Sequence, residues 1–184
     1  MSMRSAAVSV FLVIGCLFAT ARSALEEALN EYIAGKEARI GVAVIAGGVD
    51  AVAINGGESF PMLSVYKFPQ ALAVADYCEK HSIAIGDTIA IRADEIRPDT
   101  WSPLREKYGV RNLRLPISEL LAYTLQQSDN NACDVLFRLI GGPQATDSLM
   151  KAIGCNDISV VSTEEEMHRD ISPVSYTHLT LPTT

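Results

Sequence analysis

The feature that most constrains this chain is a serine followed three residues later by a lysine, Ser64 and Lys67, at the predicted start of a helix. Residues i and i+3 of a helix share one face, so the lysine amine can reach the serine hydroxyl. A serine is a weak nucleophile until a neighbouring base accepts its proton. Unpaired N–H groups at a helix N-terminus also favour a developing oxyanion. The pair therefore indicates a nucleophilic serine, although such pairs also arise by chance.

A second polar motif, Ser128-Asp129-Asn130, interrupts a helical stretch much later in the chain. Such a triplet ordinarily forms a cap or a turn, because these side chains accept hydrogen bonds from orphan helix N–H groups. That interpretation fits Asp129 well. The order and distance of the triplet after the serine-lysine pair favour a shared catalytic site.

Hydrophobic spacing predicts a helix, two strands and then a run of helices. An amphipathic helix begins near Leu25 and ends near Gly35, and strands at 41–45 and 51–54 form a predicted hairpin. Residues 83–108 contain two prolines and are expected to be mostly loop. Further helices are predicted to begin at Ser64, Pro116, Asn131 and Pro143. This order is typical of an α/β sandwich whose sheet is incomplete.

Pro69 lies inside the predicted serine helix, where a proline removes one backbone hydrogen bond and kinks the axis. We therefore expect it to disturb the direction of Lys67.

The composition limits the classes of function. The chain has 184 residues, of which 48 % are hydrophobic, and this suits one domain with a real core. A net charge of −7 disfavours nucleic-acid binding, which needs basic patches. The histidines His81, His168 and His178 lack the spacing of zinc ligands, so no metal is expected.

The first 21 residues are typical of a signal peptide. Arg4 precedes an uncharged apolar stretch, Ala6–Ala19, and small residues up to Ala21 offer a cleavage site. The stretch is short for a membrane span of about 20 residues, although an uncleaved anchor remains an alternative. We expect a secreted, periplasmic protein, with lipidation at Cys16 as a second alternative.

Three cysteines remain after the signal, Cys78, Cys133 and Cys155. We expect buried thiols, and one disulfide among them also fits this compartment. From residue 171 to 184 the chain has no Asp, Glu, Lys or Arg and no helical or strand period. We interpret this segment as a non-native tail.

The serine-lysine pair and the Ser128-Asp129-Asn130 triplet together resemble the first two signature motifs of class A serine β-lactamases, in particular the extended-spectrum branch. Similarity extends to Phe60-Pro61, to Asn131–Asp134 and to Gly141–Pro143. The similarity covers residues 24–170, which correspond to the N-terminal two-thirds of a β-lactamase catalytic domain. The resemblance implies the β-lactamase/transpeptidase-like sandwich and hydrolysis of β-lactam antibiotics, without a cofactor and as a monomer.

The resemblance also implies a role for each site residue. Ser64 attacks the lactam carbonyl, and its proton leaves to Lys67 or, through a water, to a glutamate. Ser128 passes a proton to the departing ring nitrogen, and Asn130 binds the side-chain amide of the substrate. Trp101 is expected at the site entrance, with ordinary packing as the alternative.

A run of three glutamates supplies the remaining catalytic group. Glu164 is expected to activate the water that hydrolyses the acyl-enzyme, with Met167 and His168 following as in the extended-spectrum branch. Glu165 and Glu166 are adjacent, so the register between them stays open. A run of this kind also commonly forms the solvated start of a helix.

The sequence departs from the family in one respect. The third signature motif, Lys-Thr-Gly or Lys-Ser-Gly, is not found among the 184 residues. We therefore expect a C-terminally truncated chain of low stability with little or no turnover, since loss of one oxyanion donor costs about 10²- to 10³-fold. A penicillin-binding D-alanyl-D-alanine peptidase and a non-catalytic envelope protein are the alternative functions.

Overall fold

The computed structural model describes residues 24–46, 49–169 and 178–180. Two compact units divide the chain, one reaching to Phe60 and including Thr180, and the other spanning Pro61–Leu179. The predicted signal peptide, with Cys16, lies outside the described residues. Among the residues described, no helix is long and apolar enough to cross a membrane.

The first unit contains a helix and an antiparallel hairpin. Helix α1 covers residues 24–33. Strand β1 (Val42–Ala46) pairs with β2 (Val49–Ile54) in a register that sets Val44 opposite Val52. At the end of β2, Val52 and Ile54 are buried and Ala53 between them is exposed, as expected for a strand with one covered face. The predicted hairpin is therefore confirmed. Strand β3 (Ser59–Pro61) follows at the boundary of the two units.

The second unit is mostly helical. Its helices are α2 (Lys67–Lys80), α3 (Pro103–Tyr108), α4 (Ile117–Gln127), α5 (Asn130–Ile140), α6 (Pro143–Ala152) and α7 (Glu164–Arg169). Of these, α2, α4, α5 and α6 lie close to their predicted positions. Short 3₁₀ helices at Leu63–Tyr66 and Ala93–Glu95 precede α2 and α3.

Helices α2, α4 and α5 pack against one another around one apolar core. Val74 of α2, Leu120 of α4 and Leu136 of α5 are fully buried there. Tyr66 stacks on Phe137 with ring centroids 5.7 Å apart. Each such side chain stabilises the fold by about 1.5–3 kcal/mol on burial. The core therefore gives the polar residues at its edge a rigid support.

The expectation of a loop over 83–108 was wrong in two places. Strand β4 (Thr88–Ile91) pairs antiparallel with β5 (Leu113–Pro116), and both have the period-two alternation of short strands. Pro103, taken as a loop feature, begins α3 below a Ser102 cap, a position where a missing N–H costs little.

Two further expectations need correction. Strand β6 (Ile158–Ser159) pairs with β7 (His178–Thr180), so three residues of the predicted tail form a strand. Cys78 and Cys133 are buried free thiols as expected, whereas the free thiol of Cys155 is exposed.

Candidate active site

Ser64 lies in the 3₁₀ helix that leads into α2, and not in the first turn of an α-helix as expected. Residues i and i+3 eclipse one another in a 3₁₀ helix, so Ser64 and Lys67 still share one side. Leu63, just before the serine, has a φ of 45°, a left-handed conformation that costs a non-glycine residue free energy. Strain of this kind commonly marks functional turns.

Pro69 lies nearer the start of its helix than expected. It is the third residue of α2 and is buried. Prolines are tolerated best in the first turn of a helix, so its effect on the hydrogen bonding is smaller here than in a helix interior. Its effect on the direction of Lys67 stays a prediction.

Lys67 is the centre of the site. Its side chain is only 3 % exposed, and its Nζ lies 3.0 Å from Glu164 Oε1. The same Nζ donates to the Ser128 carbonyl oxygen at 2.8 Å, to Ser128 Oγ at 3.2 Å and to Asn130 Oδ1 at 2.6 Å. Four oxygens thus surround a group with three protons, which offsets the cost of removing the amine from water.

Ser128 stands between the lysine and the nucleophile. It ends α4 in the left-handed conformation, with φ 55° and ψ 37°. From there its Oγ donates to Ser64 Oγ at 2.8 Å and accepts from Lys67. The direct contact between Lys67 and Ser64 expected from their spacing is replaced by this two-step connection.

Asp129 fixes the loop on which Ser128 and Asn130 lie. It is fully buried and caps α5 by accepting from the Ala132 N–H at 2.8 Å. The same carboxylate accepts from the Leu104 N–H at 2.6 Å and from Ser102 Oγ at 3.0 Å. The middle residue of the motif therefore holds the backbone, while its two neighbours face the site.

Asn130 has both ends of its amide occupied. Its Oδ1 accepts from Lys67, and its Nδ2 donates to Thr100 Oγ1 at 2.9 Å. Its backbone N–H donates to the Trp101 carbonyl at 3.1 Å. The Trp101 side chain is 58 % exposed and donates to the Gln127 carbonyl at 2.9 Å. Trp101 is too exposed for core packing, and it is not among the residues that line the cavity described below. Its neighbour Thr100 lines that cavity.

The three glutamates at the start of α7 lie in different surroundings. Glu164 is partly buried and faces Lys67. Glu166 forms a capping box with Thr163, whose Oγ1 accepts from the Glu166 N–H at 3.1 Å while Glu166 Oε2 accepts from the Thr163 N–H at 2.8 Å. The structure thus brings Glu164 to the lysine and gives Glu166 a role in its own helix. The Glu165 side chain is exposed.

A cavity of about 350 Å³ opens beside these groups, a size suited to a drug-like molecule. Its lining consists of Leu63, Ser64, Thr100, Asn130, Glu164, Met167 and His168. At its edge His168 Nε2 lies 3.3 Å from Asp99 Oδ2. In the part of the chain that the structure describes, no group of three potential metal ligands occurs.

Sequence reasoning missed Asp134 of α5, although it ends the Asn131–Asp134 stretch noted above. Its Oδ1 accepts from the Glu164 N–H at 2.8 Å and its Oδ2 from the Glu165 N–H at 2.9 Å. Loss of hydration is the main reason that the pKa of Asp134 is raised from 3.8 to about 7; the charge of Glu164 also raises it, whereas the two N–H bonds and the charge of Arg97 lower it. Burial likewise raises the pKa values of Cys133 and Tyr66, so both are neutral beside these carboxyls.

Comparison with known proteins agrees with this fold. The family model described as the beta-lactamase enzyme family (Beta-lactamase2) matches residues 23–180. A beta-lactamase of Bacteroides uniformis is 32 % identical over 94 % of this chain and 60 % of its own length. Beta-lactamase VEB-1 of Pseudomonas aeruginosa is 40 % identical over 77 % of this chain and 48 % of its own.

Solved structures show the same likeness. TLA-1 extended-spectrum beta-lactamase superposes with a TM-score of 0.81 at 38 % identity, covering 86 % of this chain and 58 % of that one. A class A beta-lactamase from Bacteroides cellulosilyticus gives a TM-score of 0.79 at 33 % identity, covering 86 % and 57 %. The fold is therefore the β-lactamase-like sandwich, as predicted.

The chain belongs to the beta-lactamase enzyme family, which confirms the resemblance. The match extends to residue 180, beyond the expected limit at 170. The chain spans about half to three-fifths of the length of these relatives.

Proposed function

We propose that this chain opens the β-lactam ring of antibiotics through an acyl-enzyme on Ser64. The observation that carries the proposal is the unbroken connection from Glu164 through Lys67 and Ser128 to Ser64 Oγ. The relatives that support it are a beta-lactamase and an extended-spectrum beta-lactamase.

Acylation needs a base for the Ser64 proton. Transfer of one Nζ proton to Glu164 leaves a neutral Lys67 amine, which then accepts the Ser64 proton through the Ser128 hydroxyl. A hydroxyl can both donate and accept, so Ser128 relays the proton by rotating. As the ring C–N bond breaks, Ser128 returns a proton to the leaving nitrogen. A direct path from Ser64 to Glu164 through a water is the second route.

Hydrolysis of the acyl-enzyme needs a base beside the cavity. Glu164 lines the cavity together with Ser64, so a water between them can lose a proton to Glu164 and attack the ester carbonyl. Asn130, on the same wall, is proposed to bind the substrate amide once its bond to Thr100 is exchanged. A carboxylate in this place favours a hydrolase over a peptidase that deacylates slowly.

Labelling with a fluorescent penicillin tests the proposal. We expect covalent label on Ser64, identified by mass spectrometry of the digested chain, and slow release of the hydrolysed product. Ser64→Ala should abolish the label, whereas Ser118→Ala, which changes an exposed serine of α4, should leave it unchanged.

Other results would support the alternatives. A label that is never released supports the penicillin-binding peptidase. A folded chain that takes no label supports the non-catalytic envelope protein and ends the proposal.

We also propose that the mature protein acts in the periplasm as a monomer. The n-region, apolar stretch and small residues of the first 21 positions support export. Mass spectrometry of the mature N-terminus distinguishes cleavage after Ala21 from lipidation at Cys16 and from an uncleaved anchor.

A further inference from the structure

One guanidinium group holds a short loop beside the cavity. Residues 97–100, hereafter loop 97–100, lie between the 3₁₀ helix at Ala93–Glu95 and α3. Arg105 of α3 donates from Nη1 to the carbonyl oxygens of Arg97 at 2.9 Å, of Pro98 at 2.8 Å and of Thr100 at 2.7 Å. Three carbonyls of the loop therefore converge on a single nitrogen.

The two ends of loop 97–100 have other attachments. At one end Asn131 Oδ1 accepts from the Arg97 N–H at 3.0 Å, and Asn131 Nδ2 donates to the Arg97 carbonyl at 3.1 Å. Just after the other end, the Trp101 carbonyl accepts from the Asn130 N–H at 3.1 Å. Pro98 has no N–H to donate, so the middle of the loop relies on its carbonyls for hydrogen bonds. The middle therefore depends on the donor in α3.

Loop 97–100 places two side chains at the cavity. Thr100 lines the cavity, and its Oγ1 accepts from Asn130 Nδ2 at 2.9 Å. Asp99 Oδ2 lies 3.3 Å from Nε2 of His168, which lines the cavity from α7. Both members of this pair are about half exposed, and exposed ion pairs contribute little. The pair alone therefore does not fix the loop.

We propose that Arg105 is a positioning residue that fixes loop 97–100 and thereby sets the size of the acyl side chain that the cavity accepts. The inference rests on the proposed function, in which Asn130 binds the side-chain amide of a β-lactam. The group attached to that amide then extends toward the lining residues Thr100, Met167 and His168. Arg105 is not among the residues that line the cavity, so it acts through Thr100.

A fixed wall and a loose wall select substrates differently. A fixed wall offers its contacts to a compact side chain without a cost of ordering, and it excludes a side chain that is too large. A loop that has lost its donor must be ordered by the substrate, and it can also move aside. Loss of the Arg105 donor should therefore weaken the reaction with compact substrates more than the reaction with bulky ones.

The chemical steps themselves should be spared. The proton route of the proposed function, from Glu164 to Ser64, passes through Lys67 and Ser128 and not through loop 97–100. Lys67 keeps both of these neighbours when the loop moves. The limiting rate of acylation and the rate of deacylation should therefore change by less than about 3-fold, since no proton donor or acceptor of the route is lost.

Two penicillins that differ only in the acyl side chain test the proposal. The full chain is acylated with benzylpenicillin, which has a phenylacetyl side chain, or with nafcillin, which has a bulkier ethoxynaphthoyl side chain. Mass spectrometry of quenched samples over a range of concentrations gives the half-saturating concentration and the limiting rate of acylation for each penicillin. The ratio of the two acylation efficiencies is measured on one preparation, so it does not depend on the fraction of folded chain.

Arg105→Met keeps an apolar stem and removes the donors. We expect the ratio of efficiencies, benzylpenicillin over nafcillin, to fall by about 5- to 10-fold, mainly through the half-saturating concentration. Arg105→Lys should keep the ratio within about 2-fold of that of the unchanged chain, because an ammonium also brings three protons to carbonyls that converge on one nitrogen.

The matched control is Arg114→Met on β5. Arg114 also donates to a backbone carbonyl, that of Thr88 at 3.5 Å, and it is not a lining residue of the cavity. It should keep the ratio of the unchanged chain. An unchanged ratio in Arg105→Met, or an equal shift in Arg114→Met, overturns the proposal. A chain that forms no acyl-enzyme with either penicillin contradicts the proposed function, and the inference fails with it.

Thr100→Ala gives a second test that leaves the guanidinium in place. If Arg105 acts through Thr100, this variant should lower the ratio in the same direction. The double variant should fall no further than the larger of the two single effects, because the two residues belong to one connection. A normal ratio in Thr100→Ala, or two shifts that add fully in the double variant, would contradict a path from Arg105 through Thr100.

Discussion

The two halves of the site are held in different ways. Lys67, Ser128 and Asn130 lie on or between α2, α4 and α5, the helices whose apolar faces form the core. Glu164 begins a six-residue helix that packs one apolar side chain, Met167, against the edge of the core, and the N–H groups at its start donate to Asp134. Apolar packing thus fixes the acylating half, whereas polar contacts hold the start of the helix that carries Glu164.

Because of this difference, the formation and the hydrolysis of the acyl-enzyme should respond differently to pH and to substitutions. Apolar packing contains no ionisable group, so it does not respond to pH directly. A carboxyl that accepts N–H bonds depends on its own ionisation, so the attachment of Glu164 should respond to pH more than the core does. Changes in the core half should affect both formation of the acyl-enzyme and stability.

Removal of the central amine should produce the largest effect. In Lys67→Ala, Ser128 and Glu164 lose the group that connects them, and we expect labelling by penicillin to slow by about 10³-fold, within the range for loss of a general base. Lys80→Ala removes an exposed lysine that pairs with Asp76 and should label normally. The rate of covalent labelling is the measurement, and a loss below about 10-fold would leave the water route to Glu164 as the path of the proton.

Asp129 tests the rigidity of the acylating half. Asp129→Ala leaves the Ala132 and Leu104 N–H groups and Ser102 without their shared acceptor, so we expect a loss of about 2–3 kcal/mol in the free energy of unfolding. Asp76→Ala, at an exposed i,i+4 pair, should cost about 0.3–0.5 kcal/mol. Urea unfolding followed by circular dichroism compares the two, and equal losses would contradict the difference between core and surface carboxylates.

The ionisation of Asp134 links pH to the stability of the fold. Its pKa is raised from 3.8 to about 7, so the folded chain binds more protons than the unfolded chain between these values. Its contribution is complete below about pH 4 and is lost as the pH rises through 7. After allowance for solvent screening at this partly buried group, we expect about 2 kcal/mol.

The comparison with Asp134→Asn isolates this contribution. The free energy of unfolding of the unchanged chain should fall from pH 4 to pH 8 relative to that of the variant, as measured by urea titrations at each pH. Parallel curves for the two chains would exclude Asp134 as the group responsible.

The sequence predicted the residues of the site better than their connections. Spacing and resemblance named Ser64, Lys67, Ser128, Asn130 and Glu164, and the structure brings them within hydrogen-bonding distance of one another. It did not predict that Ser128 lies between Lys67 and Ser64, because that depends on a left-handed residue at the end of α4. A positive φ at a non-glycine residue does not change the spacing of hydrophobic residues, so the sequence pattern does not indicate it.

The fold was predicted where patterns are long and local. Helices α2, α4, α5 and α6 have apolar faces several turns long, and all of them appear near their expected positions. Strands β4 and β5 have four residues each, too few for a period to stand out beside neighbouring prolines. Asp134 was missed because its partners are backbone N–H groups about 30 residues away, which composition cannot indicate.

The local cap of α7 gives the smallest and most selective change. Thr163→Ala removes the Oγ1 that accepts from the Glu166 N–H, and this should cost about 1 kcal/mol in the stability of the first turn of α7. Because Asp134 still holds the Glu164 and Glu165 N–H groups, we expect deacylation to slow only about 2- to 5-fold, with acylation unchanged. Acyl-enzyme lifetimes measure this, with Thr146→Ala on α6 as a variant remote from the cavity. A slowing of about 10-fold or more would mean that the Thr163 cap, rather than the bonds to Asp134, holds the start of α7.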